Sequence, residues 1–139
     1  MLQVGERFPV ERLSVQPSGP AIVYFYPAAL TPGCTTESKR FSELYDRFRD
    51  AGYEVIGVST DPAERNEEFR ATCDLAFPVV SDEGAELTTD IGVLKDYGEY
   101  GRLAQRVTFL LDGDGVVQRV WDVDDAAAHP EEVLAAVGE

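Results

Sequence analysis

The sequence predicts an α/β fold in which a central mixed sheet of about five strands is flanked by helices. Short runs of apolar and β-branched residues alternate with segments whose apolar residues recur at helical spacing, and this alternation begins after residue 20. Turn-forming residues stand between the two kinds of segment, as in Asp61-Pro62 and Asp112-Gly113-Asp114-Gly115. This alternation is typical of a sheet whose strands are joined by crossover helices.

The individual elements follow from the apolar spacing. Strands are predicted near residues 21–26, 53–59, 78–80, 106–111 and 116–122, and helices near 34–51, 63–74, 84–94 and 130–137. Gly52 is expected to end the first helix at its C′ position, and Asp61-Pro62 to begin the second. The Asp112–Gly115 segment is expected to join the last two strands as a tight hairpin.

The first 20 residues differ from the rest. Pro9, Pro17, Gly19 and Pro20 interrupt a stretch with little periodicity, so residues 1–20 are predicted to form an irregular N-terminal arm with room for one short edge strand. The chain has 139 residues and a mass of 15.3 kDa, and it contains no internal repeat or linker-like tract. We therefore expect residues 1–139 to form a single domain.

Composition excludes several function classes. The 26 acidic and 12 basic residues give a formal net charge of −14 and a sequence pI near 4.3, which opposes binding to nucleic acid or to an anionic membrane surface. The apolar runs are too short for a transmembrane helix, and Met1-Leu2-Gln3-Val4-Gly5-Glu6 has neither the basic nor the apolar part of a signal peptide. A cytoplasmic protein is the resulting expectation.

The two cysteines, Cys34 and Cys73, indicate a reactive thiol rather than a scaffold. They are too few for a disulfide framework, and with one histidine they cannot form an ordinary four-ligand zinc site. The sequence also has no Cys-x-x-Cys, which excludes a thioredoxin-type dithiol. We expect neither a metal nor another cofactor.

Cys34 is the most informative residue because of its predicted position at the start of a helix. The preceding strand ends at Pro27, and Thr31-Pro32-Gly33 cannot continue a regular element. Cys34 should therefore lie in the first helical turn, near unpaired backbone N–H groups and the positive end of the helix dipole. Such an environment favours the thiolate, which is the nucleophilic form of cysteine.

The residues around Cys34 also match a known family. Pro27, Thr31 and Cys34 have the spacing Pro-x-x-x-Thr-x-x-Cys, which resembles the active-site signature of the peroxiredoxins, and Thr-Pro-Gly-Cys-Thr-x-Glu resembles their bacterioferritin-comigratory, or Q-type, branch. The resemblance extends from about Val4 to the C-terminus. It includes Phe25-Tyr26-Pro27, Val55–Ser59, Phe77–Asp82 and Arg106–Asp112. It implies a thioredoxin-like fold, which agrees with the predicted order of elements, and an N-terminal arm shorter than that of most members.

The resemblance implies roles for three residues of the motif. Cys34 would be the nucleophile that attacks a peroxide and becomes a sulfenic acid. The Thr31 hydroxyl would donate to the thiolate or bind a peroxide oxygen, although Thr31 could also be a helix N-terminal cap or a turn residue. Pro27 would shield the sulfur from water. The backbone N–H groups of Gly33 and Cys34 are candidate donors to the developing negative charge.

Arg106 and Glu37 complete the candidate site. The match of Arg106-Val-Thr-Phe selects Arg106 rather than Arg102 as the arginine that stabilises the thiolate. Arg106 begins a strand that would lie beside the strand leading to Cys34. Without the resemblance, Arg106 would be interpreted as an exposed charge at a strand end. Glu37 would hold the arginine, or would simply favour the start of the helix.

Cys73 is the candidate resolving cysteine. Many Q-type members have a resolving cysteine five residues after the nucleophile, but that position is Lys39 in this chain. A second group has it on the helix after the second strand, which is where Cys73 lies. Cys73 would share the inward face of Phe69, so the alternative is a buried structural cysteine, and the enzyme would then use one cysteine and an external thiol.

These features together predict a thiol peroxidase. The expected substrates are hydrogen peroxide and alkyl hydroperoxides, and the expected electron donor is a thioredoxin-like protein or another small thiol. The protein is expected to be a monomer or a weak homodimer. One alternative is a peroxide-sensing module that is oxidised without efficient turnover. Another is a thioredoxin-like oxidoreductase without peroxidase activity, against which the absence of Cys-x-x-Cys argues.

Overall fold

The computed structural model describes residues 1–138 and contains the predicted mixed sheet of five strands flanked by helices. The strands are β1 Ala21–Phe25, β2 Glu54–Ser59, β3 Val79–Ser81, β4 Leu94–Asp96, β5 Arg102–Ala104, β6 Val107–Leu111 and β7 Val117–Asp122. The helices are α1 Pro32–Glu43, α2 Tyr45–Asp50, α3 Ala63–Thr72, α4 Glu86–Ile91 and α5 His129–Ala136. No helix within residues 1–138 is long and apolar enough to cross a membrane.

The sheet brings the start of β6 beside the end of β1. The strand order is β3-β2-β1-β6-β7, with β1, β2 and β3 parallel and with β6 antiparallel to both β1 and β7. In the β1–β6 register, Phe25 pairs with Val107. Arg106, which immediately precedes β6, therefore lies next to the point where the chain leaves β1 for α1.

The central position of β1 explains its uninterrupted apolar sequence. All five residues of β1 are buried because apolar side chains cover both faces of the sheet. On one face, Val23 and Phe25 pack with Phe8 of the N-terminal arm and with other apolar residues. On the other face, Ile22 and Tyr24 pack in a cluster that also contains Cys34.

The N-terminal arm lies along the edge of the sheet. It contains a short 3-10 turn at Val10–Arg12 and an isolated antiparallel bridge between Arg7 and Val116. Phe8 and Leu13 are buried, so the arm contributes to the core in spite of its irregular backbone.

The first predicted helix, 34–51, differs from the structure in its start and in its continuity. The helix begins at Pro32, and Leu44, with φ −94° and ψ 2°, separates α1 from α2. Leu44 N–H still donates to Arg40, and Phe48 N–H donates to Leu44, so the helical spacing of apolar residues continues through the interruption. For this reason the apolar pattern could not reveal it. Gly52 follows α2 with φ +94°, in agreement with the predicted helix end.

The prediction of a helix over 84–94 was wrong at both ends. The helix α4 covers only Glu86–Ile91, because Gly92 takes a left-handed conformation with φ +87° and ends it. The following residues form the two-stranded hairpin β4–β5, which the sequence analysis missed. Strands of three residues are too short to show a period, but Gly98 (φ +69°) and Gly101 (φ +83°) mark the turn between them.

Candidate active site

The loop between β1 and α1 places Cys34 at the open end of a helix. Leu30 has a positive φ of 64°, Thr31 occupies the N-cap position, and Pro32 is the first helical residue. Thr35 N–H makes the first bond along the helix, to the Thr31 carbonyl at 2.9 Å. The backbone N–H groups of Gly33 and Cys34 precede this bond, so they lie at the helix end without an acceptor inside the helix. The side chain of Cys34 is almost fully buried, at 1% exposure.

The guanidinium of Arg106 joins Cys34 to Glu37. Its Nη2 donates to the Cys34 Sγ at 3.3 Å, and its Nη1 donates to the Glu37 Oε1 at 2.8 Å. The Arg106 side chain is only 19% exposed, so solvent screens these interactions weakly. Arg106 is therefore a permanently charged hydrogen-bond donor to the sulfur. The half-buried position also corrects the interpretation of Arg106 as an exposed strand-end charge.

Glu37 is the titratable member of the Glu37–Arg106 ion pair. Burial raises its pKa to about 7, while the charge of Arg106 and its hydrogen bond act in the opposite direction. Burial also opposes the charge of Arg106, but Glu37 and Cys34 outweigh that effect and the pKa of the guanidinium is raised. Within residues 1–138, the second carboxylate oxygen, Oε2, is buried and has no hydrogen-bond partner. Glu37 can therefore gain or lose a proton near neutral pH while Arg106 stays charged.

Thr31 is oriented by its own loop. Its hydroxyl donates to the Ala28 carbonyl at 2.7 Å, and its side chain caps no backbone N–H of the described chain. Thr31 thus occupies the N-cap position as a turn residue, and its hydroxyl proton bonds within the loop rather than capping the helix. The oxygen of Thr31 can still accept a hydrogen bond from a molecule in the pocket.

An open pocket of about 320 Å³ surrounds these groups. One side is formed by the predicted site residues Pro27, Thr31, Cys34 and Arg106, together with Ala28. Tyr97, Tyr100 and Leu103 from the β4–β5 hairpin complete the lining, and these three residues are called the apolar wall below.

The hairpin residues are the part of the pocket that the sequence analysis missed. The segment Tyr97-Gly98-Glu99-Tyr100-Gly101 carries the only available signal, since two glycines within five residues indicate a turn. Tyr100 is 74% exposed, which is unusual for a large aromatic residue and leaves its ring available to a ligand. The pocket therefore combines this apolar wall with a charged floor, which is formed by Cys34 and Arg106.

Cys73 lies at the C-cap of α3. It is half-buried and packs against the same apolar cluster that contains Cys34. Its backbone N–H donates to the Phe69 carbonyl at 3.0 Å, and both cysteines are free thiols. Lys39, at the position of the commoner resolving cysteine, is exposed.

The chain is similar in sequence to known proteins. Residues 5–120 match the model of the AhpC/TSA family. The chain is 40% identical over 119 residues to peroxiredoxin Bcp of Xanthomonas campestris pv. campestris, which covers 84% of this chain and 74% of that protein. It is 44% identical over 103 residues to the chloroplastic peroxiredoxin Q of Oryza sativa subsp. japonica, covering 74% of this chain and 46% of that protein. The chain thus spans about half the length of the plant relatives that it matches.

Solved structures give the same result. A cysteine-to-serine variant of PrxQ from Xylella fastidiosa superposes with a TM-score of 0.89 at 26% identity, over 99% of this chain and 96% of that one. The bacterioferritin comigratory protein of Xanthomonas campestris, studied for its alkyl peroxide reduction activity, superposes with a TM-score of 0.79 at 37% identity, over 86% and 78% of the two chains. The chain therefore belongs to the AhpC/TSA family, and its similarity to the peroxiredoxin Q and Bcp proteins agrees with the resemblance found around Cys34.

Proposed function

We propose that this protein is a thiol peroxidase that uses Cys34 to reduce hydrogen peroxide and alkyl hydroperoxides. The observation that carries the proposal is the Arg106 guanidinium, which donates to the Cys34 sulfur at 3.3 Å and is held by Glu37 at 2.8 Å. A buried thiol has no structural need for a charged donor, whereas a nucleophilic thiolate does.

In the proposed reaction, the Cys34 thiolate attacks one oxygen of the peroxide. A sulfur–oxygen bond forms as the oxygen–oxygen bond breaks, and Cys34 becomes a sulfenic acid. The second oxygen leaves with the electron pair of the broken bond and takes up a proton, so the product is water or an alcohol. The peroxide is reduced by two electrons, which come from the sulfur.

The surrounding groups would orient the peroxide and stabilise its charge. Arg106 and the backbone N–H groups at the start of α1 are donors to the negative charge that develops on the oxygens. The Thr31 oxygen would accept a hydrogen bond from the peroxide O–H, since the Thr31 hydroxyl already donates its proton to the Ala28 carbonyl. Pro27, which has no backbone N–H, lines the pocket beside the sulfur and would keep water away from it.

The apolar wall supports organic hydroperoxides as substrates. Tyr97, Tyr100 and Leu103 could cover the carbon chain of a substrate whose peroxide group reaches Cys34. Hydrogen peroxide would use the charged floor alone.

We infer that Cys73 resolves the sulfenic acid. Its thiol would displace water from Cys34 and form a disulfide, which a thioredoxin-like protein or a small thiol would reduce. The two thiols are not bonded in this structure, and disulfide formation needs Cα atoms within about 7 Å of each other, so the helix ends that carry them would have to adjust.

The experiment is stopped-flow oxidation of the reduced protein by hydrogen peroxide and by cumene hydroperoxide. Cys34 should react at least about a thousand times faster than a free thiol at the same pH, and Cys34→Ser should abolish the reaction. Cys73→Ser is the matched control, because it should leave this first step unchanged and stop formation of the intramolecular disulfide, as read by mass spectrometry. Ordinary thiol rates in the wild type would refute the peroxidase.

Turnover separates the enzyme from a sensor. Continuous consumption of peroxide with thioredoxin and its reductase is expected for the enzyme, whereas a single stoichiometric oxidation would indicate a peroxide-sensing module. If turnover by thioredoxin persists in Cys73→Ser, the protein is a one-cysteine peroxidase.

We further propose that residues 1–139 act as one domain, as a monomer or weak homodimer, in a reducing compartment such as the cytoplasm. The sequence has only two cysteines, too few for a disulfide framework, which favours such a compartment.

A further inference from the structure

One side chain from the turn before α3 and one from the first turn of α3 hold the Ala29 peptide in the middle of the β1–α1 loop. The backbone N–H of Ala29 donates to the Asp61 Oδ2 at 2.8 Å, and the Arg65 Nη2 donates to the Ala29 carbonyl at 3.4 Å. Asp61 and Arg65 also form an ion pair, with 3.5 Å between the Oδ1 and the Nε. Ala29 is fully buried, so its backbone groups depend on these two partners for their hydrogen bonds.

The Asp61 carboxylate is itself fixed to the sheet. The Ser59 hydroxyl donates to the Asp61 Oδ2 at 2.7 Å, and the backbone N–H of Asp61 donates to the Ser59 oxygen at 3.2 Å. The Ser81 hydroxyl donates to the Asp61 carbonyl. Since Ser59 and Ser81 end β2 and β3, the carboxylate is anchored to the edge of two strands, and its side chain is only 13% exposed.

The loop positions on either side of Ala29 belong to the active-site pocket. Pro27 and Ala28 precede it, and Thr31 follows it. Leu30, between Ala29 and Thr31, has a φ of +64°, which is unfavourable for a residue with a branched side chain. Such a conformation persists only where neighbouring contacts enforce it. The contacts at Ala29 are therefore well placed to determine where the Thr31 oxygen lies relative to the Cys34 sulfur.

We propose that Asp61, together with Arg65, is a positioning residue for the reaction with peroxide. Both lie outside the set of residues that line the pocket, so they act through Ala29 by holding Pro27 and Thr31 against Cys34. This inference rests on the peroxidase function proposed above. The residues around the start of α3 would thus act in the attack on peroxide. Cys73, at the end of the same helix, would act in the later formation of the disulfide.

The test compares two reactions of Cys34 in Asp61→Ala. The rate constant with hydrogen peroxide should fall by about tenfold or more, because small displacements of orienting groups lower rates strongly. Alkylation by iodoacetamide needs the thiolate but not an oriented peroxide, so its rate should change by less than about threefold. Asp61→Asn should recover much of the peroxide rate, because the amide oxygen can still accept from Ala29.

Asp82→Ala is the matched control. Asp82 also follows a strand, and its carboxylate accepts hydrogen bonds from the backbone of Leu87 and from the backbone and hydroxyl of Thr88 at the start of α4. Its loss should lower the melting temperature while the peroxide rate stays that of the wild type. Arg65→Gln changes an exposed position and should lower the peroxide rate several-fold. This variant tests the positioning role if Asp61→Ala does not fold.

The outcomes distinguish this inference from the peroxidase itself. A wild-type peroxide rate in Asp61→Ala, equal losses with peroxide and iodoacetamide, or an equal loss in Asp82→Ala would each overturn the positioning role. If Asp61→Ala does not fold, a wild-type rate in Arg65→Gln would overturn it. If the wild type itself reacts with peroxide no faster than a free thiol, the proposed function fails instead.

Discussion

Gly33 and Arg106 approach each other so closely that a methyl group at position 33 would lie 3.1 Å from the guanidinium Nη2. The same nitrogen donates to the Cys34 sulfur at 3.3 Å. Glycine at this position therefore allows the guanidinium to reach the sulfur across the start of the helix. The approaching side chain comes from 73 positions further along the chain.

Gly33→Ala should slow the reaction of Cys34 with hydrogen peroxide by about three- to tenfold, because the guanidinium must move by a few tenths of an ångström. Unfolding in urea should show no loss of stability beyond about 1 kcal/mol, since alanine is favourable in a helix. Gly19→Ala is the control, because the described residues leave open space around a methyl group there. A wild-type rate in Gly33→Ala would show that the contact with Arg106 has no kinetic importance.

Arg106→Lys should reduce the rate constant with hydrogen peroxide by about 100-fold. Lysine keeps the charge, but its single ammonium group cannot bridge the Cys34 sulfur and the Glu37 carboxylate as the planar guanidinium does. Arg102→Lys tests an exposed arginine in the preceding strand, β5, and should leave the rate unchanged. A loss of less than about threefold in Arg106→Lys would mean that charge alone is sufficient.

Glu37→Gln should alter how stability depends on pH. Burial raises the pKa of Glu37 from 4.5 to about 7, so the folded protein retains a proton that the unfolded chain releases between these values. The stabilisation by neutral Glu37 is complete below about pH 4.5 and is lost as the pH rises through about 7. From pH 5 to pH 8, urea denaturation should therefore show a loss in the wild type that exceeds that in Glu37→Gln by about 2–3 kcal/mol.

The control for this measurement is Glu43→Gln, which removes an exposed carboxylate from the same helix. Its stability should follow the pH dependence of the wild type. Parallel curves for the wild type and Glu37→Gln would contradict the raised pKa of the buried carboxyl group.

Tyr100→Ser should separate organic hydroperoxides from hydrogen peroxide. The exposed ring of Tyr100 belongs to the apolar wall of the pocket, and its removal takes away a surface that only a carbon-containing substrate would cover. We expect kcat/KM for cumene hydroperoxide to fall by about tenfold while the value for hydrogen peroxide changes less than twofold. Val15→Ser, which alters an exposed apolar residue elsewhere, is the control. Equal effects on the two substrates would argue against the hairpin as a specificity element.

Much of the fold could be predicted because its signals are local. The buried strands near β1, β2 and β6 are continuous apolar runs, and Gly52 ends α2 with the positive φ that its position suggested. The short elements could not be predicted in the same way. The three-residue strands β4 and β5 have no measurable period, and their pairing depends on Gly92 ending α4 early.

In the candidate site, too, only the features with local signals could be predicted. By itself, the sequence determined that Cys34 lies in the first turn of a helix, since Pro27, Thr31 and Pro32 restrict the backbone within a few residues. The resemblance to the peroxiredoxins added Arg106 and Glu37 as candidate site residues.

The tertiary structure decided which distant groups surround the sulfur. Arg106 reaches Cys34 across 72 positions because β6 pairs with β1. The hairpin residues Tyr97, Tyr100 and Leu103 line the same pocket. Asp61 holds Ala29 only because β2 and β1 are parallel neighbours, which puts the loops at their ends side by side. Backbone preferences act over a few residues and can be read from the sequence, whereas these contacts depend on strand order and register, which arise from packing of the whole chain.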